Sequence, residues 1–285
     1  MMCEYSICSS DNKWRAEISA LHGANVTRLQ YEGQDVLVPL KSDKELKVNP
    51  YIQGAPLLFP ANRTHEGKFV FEDTEYFLPL NEPHNNAHLH GLLHLQKFKL
   101  KELTKDTIVL CYENFKKIYP FKFQITVTYS LADNTFSQAY VIENTDSKNM
   151  PLTFALHTSF VEPDLFSVSI DSCQEKDAHH IPTGRYIPLN NQEKLYPVGS
   201  KSQGIEISGY YKACGHTAKI GDFTYTVSDN FDHWILFNGK GEKKLLCVEP
   251  QCGAVNGLNL KDGCKILMPN EKIIFSTCIQ TSPSK

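Results

Sequence analysis

Apolar and polar residues alternate along much of this chain, with the period of a strand. From Phe123 to Leu131 every odd position is apolar and every even position is polar. A period of two sends successive side chains to opposite faces, so one face of this segment is continuously apolar. Asp133-Asn134 follows as a turn, and Thr135 to Asn144 returns as a partner strand, which predicts a hairpin. Gly67 to Leu78 predicts a second hairpin, turning around Asp73-Thr74. Further strands are expected at Thr107–Cys111, Leu152–Thr158, Phe223–Ser228, Trp234–Phe237, Lys244–Val248 and Lys272–Ile279. Lys97 to Lys105 is locally basic but includes Glu102, and reads as a solvated strand surface. No long stretch carries a 3.6-residue period. The tract from Asp171 to Ser208 is polar, holds His179, His180 and three prolines, and is expected to be a long surface excursion. Many short strands with Gly, Pro and Asn punctuation indicate an all-β sandwich or barrel. Without an internal repeat, a low-complexity tract or a linker, residues 1–285 are read as one domain.

Composition narrows the class. The chain has 285 residues, 41% hydrophobic and 21% charged, enough to build a large core. A net charge of -3 and the lack of a basic stripe with interleaved aromatics give no case for nucleic acid. No segment approaches the roughly 20 apolar residues of a membrane span, and Met1 to Ser10 has neither the basic nor the apolar region of a secretory signal. The nine cysteines are scattered singly, with no C-x-x-C. They read as free thiols in a reducing cytoplasm. The chain shows no G-x-S-x-G, P-loop, G-x-G-x-x-G or H-E-x-x-H, so nucleophilic hydrolysis, nucleotide binding and zinc proteolysis lack support.

Three titratable residues on extended segments stand out: His90 in Asn86-Ala-His-Leu-His-Gly91, His157 in Leu152 to Phe160, and Glu249 in Leu245 to Gln251. Two imidazoles and a carboxylate on a rigid sheet can give a proton on one side of a substrate and take one on the other. Alternation places Leu152, Phe154 and Leu156 on one face and Thr153, Ala155 and His157 on the other, leaving room above His157. The plain alternative is a strand-end histidine bonded to a carbonyl. Glu249 shares its face with Leu245 and Cys247, and Pro250 is expected to end the strand. Desolvation there would raise its pKa toward that of a useful base; the alternative is an exposed strand-end glutamate. His88 and His90 share a face, a spacing compatible with two metal ligands, but no nearby carboxylate or cysteine completes a set. Arg63, one of four arginines, follows the compact apolar Gly54 to Leu58 and offers planar donors for sugar hydroxyls or an oxyanion, unless it is merely a surface cation.

Taken together, these segments resemble the aldose 1-epimerase (galactose mutarotase-like) family. The matching stretches are Gly54 to Arg63 ending in Asn-Arg, Glu66-Gly-Lys-Phe with Tyr76 to Glu82, Asn86 to Gly91, His157-Thr-Ser-Phe160, Phe231-Asp-His233, and Cys247-Val-Glu-Pro-Gln251 with Ala254-Val-Asn256. They occur in the family's order from about residue 54 to 256. The resemblance implies a large antiparallel β-sandwich of the galactose mutarotase type and interconversion of aldose anomers without metal or cofactor. It implies Glu249 as the base at O1, His157 as the acid at O5, and His90 polarising the sugar oxygens. Asn62, Arg63, Asp232 and Gln251 are then expected to contact the sugar. Two departures touch expected substrate contacts: Thr158-Ser-Phe160 stands where Pro-Tyr-Phe is common, and Leu92 stands where an aromatic is common. A hexose-6-phosphate substrate, or a sugar-binding protein without turnover, would fit the same fold.

Overall fold

The alternating segment from Phe123 lies in the middle of a strand, Lys122–Ala132, in the computed structural model of the chain, which describes residues 4–282. Its partner is Thr135–Asn144, with Phe123 opposite Asn144 and Ala132 opposite Thr135. The apolar face is the buried one: Phe123, Ile125, Val127 and Tyr129 are each at most 1% exposed. Such strands associate laterally into one antiparallel sheet of fourteen strands. A four-stranded sheet, Tyr5–Cys8, Trp14–Ser19, Asn25–Tyr31 and Gln34–Asp35, packs against it. One apolar cluster joins them, with Trp14, Ile18 and Leu29 from the small sheet meeting Ile125, Val127 and Tyr140 from the large one. Each such fully buried side chain contributes about 1.5–3 kcal/mol. The protein is thus a large all-β sandwich of antiparallel sheets. The only α-helix among the described residues is Asp43–Val48, and no helix there is long and apolar enough to cross a membrane.

The expected Lys97–Lys105 surface is an edge strand, Lys99–Leu103, exposed at every residue. Its lysines guard an open ladder against pairing with another chain. The eight described cysteines are all free. Of the Met1–Ser10 stretch, residues 1–3 lie outside the described residues.

Four expectations need correction. The second hairpin turns at Glu72-Asp73, not Asp73-Thr74, because both of those residues adopt the positive φ (47° and 58°) that a tight two-residue turn requires. Leu152–Thr158 is not one strand. It is split into Met150–Leu152, Phe154–Leu156 and Ser159–Val161, the first of which joins a different partner. Pro250 does not end its strand, which runs Leu245–Cys252. The Val248 N–H donates to Thr158, so even-numbered residues point their N–H groups toward that neighbour. The missing N–H of Pro250 therefore falls at the break between Phe154–Leu156 and Ser159–Val161, where no ladder bond is lost. Finally, Asp171–Ser208 is only in part an excursion. Phe166–Lys176 and Pro182–Pro188 form a hairpin, and a 3-10 turn follows at Glu193–Leu195. The second strand is exposed at six of its seven residues, so its polar composition hides it from a hydrophobic pattern.

One close backbone crossing fixes the loops that approach the large sheet. Gly91 bridges Phe59, and a Cβ built on Gly91 would lie 1.9 Å from the Phe59 carbonyl oxygen, at a φ of +65°. Gly33, at φ +80°, has nothing within 4 Å of the same position. Gly91→Ala is expected to destabilise the fold by about 2–4 kcal/mol, and Gly33→Ala by only about 1 kcal/mol. Urea denaturation of the two variants checks this; equal losses would mean that the crossing is not rigid.

Candidate active site

Sheet register sets the site. Tyr210, Ile235 and Glu249 stand side by side on three adjacent strands, Ser208–Ile220, His233–Phe237 and Leu245–Cys252. On the far side of Leu245–Cys252, Ala155 pairs with Gln251 and Ser159 with Cys247. The same register, continued through the break, puts His157 opposite Glu249. The His157 N–H donates to the Pro56 carbonyl at 3.0 Å, which pins the residue where the ladder is interrupted. Its Nε2 lies 3.5 Å from Glu249 Oε1. Glu249 is 2% exposed and His157 5% exposed, so neither is the solvent-facing strand-end residue of the plain alternatives. Nor is His157 tied to a carbonyl through its ring: Nδ1 is buried with no partner among the described residues.

Burial dominates the electrostatics. It raises the Glu249 carboxyl well above its ordinary value, against a weaker opposing pull from Arg63. It lowers the His157 imidazole to about 4. His90 is lowered well below its ordinary value, by burial first and then by the neighbouring His157 and Arg63 charges. Each shift disfavours the charged form in a dry setting.

The opposite wall comes from loops held in left-handed backbone. Asn62 (φ 55°) and His90 (φ 61°) are joined by the His90 N–H donating to the Asn62 carbonyl at 2.8 Å. Asparagine and histidine adopt left-handed backbone more readily than most side chains, and the Gly91 crossing lies directly beside His90. Arg63 begins the next short strand, Arg63–His65. It is not a surface cation. Its Nε and one terminal nitrogen donate to Glu82, both at 2.7 Å, and the other terminal nitrogen donates to Tyr210 Oη at 2.7 Å. A guanidinium has five N–H groups, so two remain for a ligand. Asn256 braces this strand from below: its N–H donates to the Arg63 carbonyl and its Oδ1 accepts from the His65 N–H, both at 3.0 Å.

Asn62, Arg63, His90, His157 and Glu249 all line one cavity of about 270 Å³. The other two expected residues do not line it. Asp232 accepts from His233 Nδ1 and from the Gly253 N–H, both at 2.8 Å, and His233 Nε2 faces Tyr186 Oη at 2.5 Å. Burial alone would raise the Asp232 carboxyl; the bonds from His233 and Gly253 and the nearby Lys212 hold it well below its ordinary value. Gln251 is fully buried one row along the sheet, donating to the Gly253 carbonyl at 2.9 Å, with Oε1 unpartnered. His88 does not share a metal site with His90. Its Nδ1 contacts the Pro79 carbonyl at 2.7 Å, and among the described residues the pair joins no third ligand.

Among the cavity residues that the pattern missed are Tyr51, Glu82 and Tyr210. Tyr51 lies nearly parallel to His157 (centroids 6.3 Å apart, 24°) and edge-on to His90 (4.6 Å, 62°). It follows the short helix Asp43–Val48, in a segment with no period to read. Glu82 sits within a quoted motif but gives no sign of its partner. Tyr210 is assigned only by strand register. The two departures from the expected loops lie elsewhere: Thr158 Oγ1 is 3.0 Å from Tyr225 Oη, and Leu92 packs on the core. Neither lines the cavity.

Comparison with known proteins gives the same picture of the fold. A galactose mutarotase-like protein from Clostridium acetobutylicum superposes with a TM-score of 0.86 at 24% identity, over 94% of this chain and 92% of that one. Galactose 1-epimerase from Lactobacillus acidophilus NCFM superposes with a TM-score of 0.77 at 16% identity, over 95% and 92%. The uncharacterized protein YihR of Escherichia coli (strain K12) is 27% identical over 170 residues, 56% of this chain and 54% of that protein, so the match spans about half the length of this curated relative. The sequence matches the aldose 1-epimerase family from residue 5 to residue 279, and the chain belongs to that family.

Proposed function

We propose that this protein is a mutarotase, interconverting the α and β anomers of an unphosphorylated monosaccharide. The observation that carries this reading is the buried Glu249–His157 pair, 3.5 Å apart and facing a cavity of about 270 Å³. The pair holds one shared proton over a wide pH range. With that proton on His157, Glu249 is a carboxylate that takes the proton from the anomeric O1 hydroxyl. His157 gives its own proton to the ring oxygen O5. The C1–O5 bond breaks, its electrons going to O5, and a C1=O1 aldehyde forms. The pair is then uncharged, the arrangement that burial favours, so the transfer that opens the ring also discharges the buried groups. Rotation about C1–C2 presents the other face of the aldehyde, and the same transfers in reverse close the ring. Neutral His90 and the two free N–H groups of Arg63 are placed to hold the oxygens.

The choice of an unphosphorylated sugar rests on charge. Among the described residues Arg63 is the one Arg or Lys lining the cavity, and Glu82 already neutralises it with two short bonds. A phosphate dianion would find no free cation there and would meet the Glu82 and Glu249 carboxyls. Asp232 and Gln251 would act on a sugar only through the row beside the cavity, so their substitution should matter less than that of Arg63.

Three outcomes test this. Glu249→Gln keeps the shape and loses the base, and should lower polarimetric mutarotation by about 10²–10⁴-fold, with sugar binding by calorimetry within about tenfold of wild type. A wild-type rate in that variant would overturn the mechanism. The pH profile should be a bell. Below about 4, a second proton enters the pair at His157 and no base is left. Above the raised Glu249 value, the shared proton is lost and no acid is left. A profile that rose without limit with pH would point to hydroxide rather than the pair. Finally, α-D-glucose or α-D-galactose should be turned over far better than α-D-glucose 6-phosphate. Preference for the phosphate would refute the charge argument, and acceleration of none would favour a sugar-binding role.

A further inference from the structure

One side chain beside the acid–base pair has no part in the proposed reaction. Cys247 lies two residues before Glu249 on the same face of the Leu245–Cys252 strand and is fully buried. An imidazole nitrogen of His157, the Cys247 sulfur and a Glu249 oxygen all lie within 4.8 Å of one another, the only such grouping among the described residues. We propose that these three side chains form a site for a borderline-soft divalent cation, Zn²⁺ or Cd²⁺, and that its binding shuts off the pair.

The donor set fits that chemistry. Thiolate, imidazole and carboxylate are the usual ligands of zinc, and three of them with one open position make an accessible tetrahedral site. With metal–ligand distances of about 2.0–2.3 Å, tetrahedral ligands stand roughly 3.3–3.8 Å apart. The imidazole and carboxylate are already 3.5 Å apart, and the sulfur lies within 4.8 Å of both. The charges also close. A dication with one thiolate and one carboxylate is neutral, which suits a buried site. Ser159 Oγ, 3.3 Å from the Cys247 sulfur, can donate a hydrogen bond to the thiolate. As the metal binds, two protons leave to the buffer, the thiol proton of Cys247 and the proton shared by Glu249 and His157. The ion would enter through the cavity that His157 and Glu249 line. The hard cations Mg²⁺ and Ca²⁺, which prefer six or more oxygen ligands, do not fit.

The inhibition rests on the mutarotase reading; the binding does not. The test therefore has two readouts, on the whole protein. Co²⁺ is added as a spectroscopic stand-in for Zn²⁺, and thiolate coordination is followed as a near-ultraviolet charge-transfer band. Mutarotation is then followed by polarimetry with increasing ZnCl₂, and again after EDTA. Wild type should show the band and lose activity reversibly. Cys247→Ser should keep its activity within about twofold, lose the band, and need at least about tenfold more Zn²⁺ for the same inhibition. Cys247→Ala repeats the test if serine disturbs the fold. A wild-type protein without the band, or a serine variant with wild-type zinc sensitivity, would overturn the proposal. A band in a protein that turns over no sugar would keep the metal site and reject the mutarotase reading.

Discussion

Glu249 stands on a strand whose eight residues are all buried, and the imidazole 3.5 Å away is buried with it. Putting one ionisable group into such a place is unfavourable; putting two there is tolerable only if they share a proton. That constraint organises the rest. It requires a strand with both flanks covered, which a fourteen-stranded sheet supplies in its interior. It requires His157 to stand opposite Glu249 at a break in the neighbouring ladder. Pro250 meets the second need, because its missing N–H lies at that break. The proline that reads as a strand terminator is better understood as the residue that lets the strand continue past a gap.

The facing wall answers a different need. Sheet register places side chains at fixed intervals of one strand spacing, too coarse to surround a small molecule. The loop wall is adjustable, and here it is held by short-range devices: left-handed Asn62 and His90, the Gly91 crossing, and the two bonds that Arg63 donates to Glu82. Glu82 changes what Arg63 can do. It fixes the guanidinium plane and cancels most of its net charge, leaving two directional donors in place of a free cation. Directional donors suit hydroxyls, whereas a free cation would suit an anion.

How much of this is legible in the sequence depends on the length scale of the cause. The strand period is local, so Phe123–Leu131 and Thr135–Asn144 are readable to within a residue at most ends. The left-handed turns are also local, and Asn62-Arg63 and His90-Gly91 announce themselves by residue type. The His157–Glu249 approach is not local, since it depends on a register carried across ninety positions of chain; only the family resemblance brings the two together beforehand. Glu82 and Tyr210 are harder still. Nothing in their own segments says that they meet Arg63, because the meeting depends on how a loop and a distant strand come together. Pro182–Pro188 is hidden for the opposite reason. It is a strand by pairing alone, with no buried face to leave a pattern.

The same division explains why solved structures of this fold at 16% and 24% identity remain superposable over more than nine-tenths of the chain. A sheet is specified by alternation, which many sequences satisfy, and it is the sheet that holds the carboxylate and the imidazole opposite each other. Replacing Pro-Tyr-Phe by Thr158-Ser-Phe160 leaves this intact. Thr158 turns into the core to meet Tyr225, and the ring over His157 is that of Tyr51, out of a segment far away in sequence. Proton exchange with a sugar needs the pair and a dry surface around it, and it sets few demands on which loop supplies that surface. On the proposed reading, the wall facing the pair is therefore where the choice of sugar would be set, and the pair is where the proton chemistry would be done.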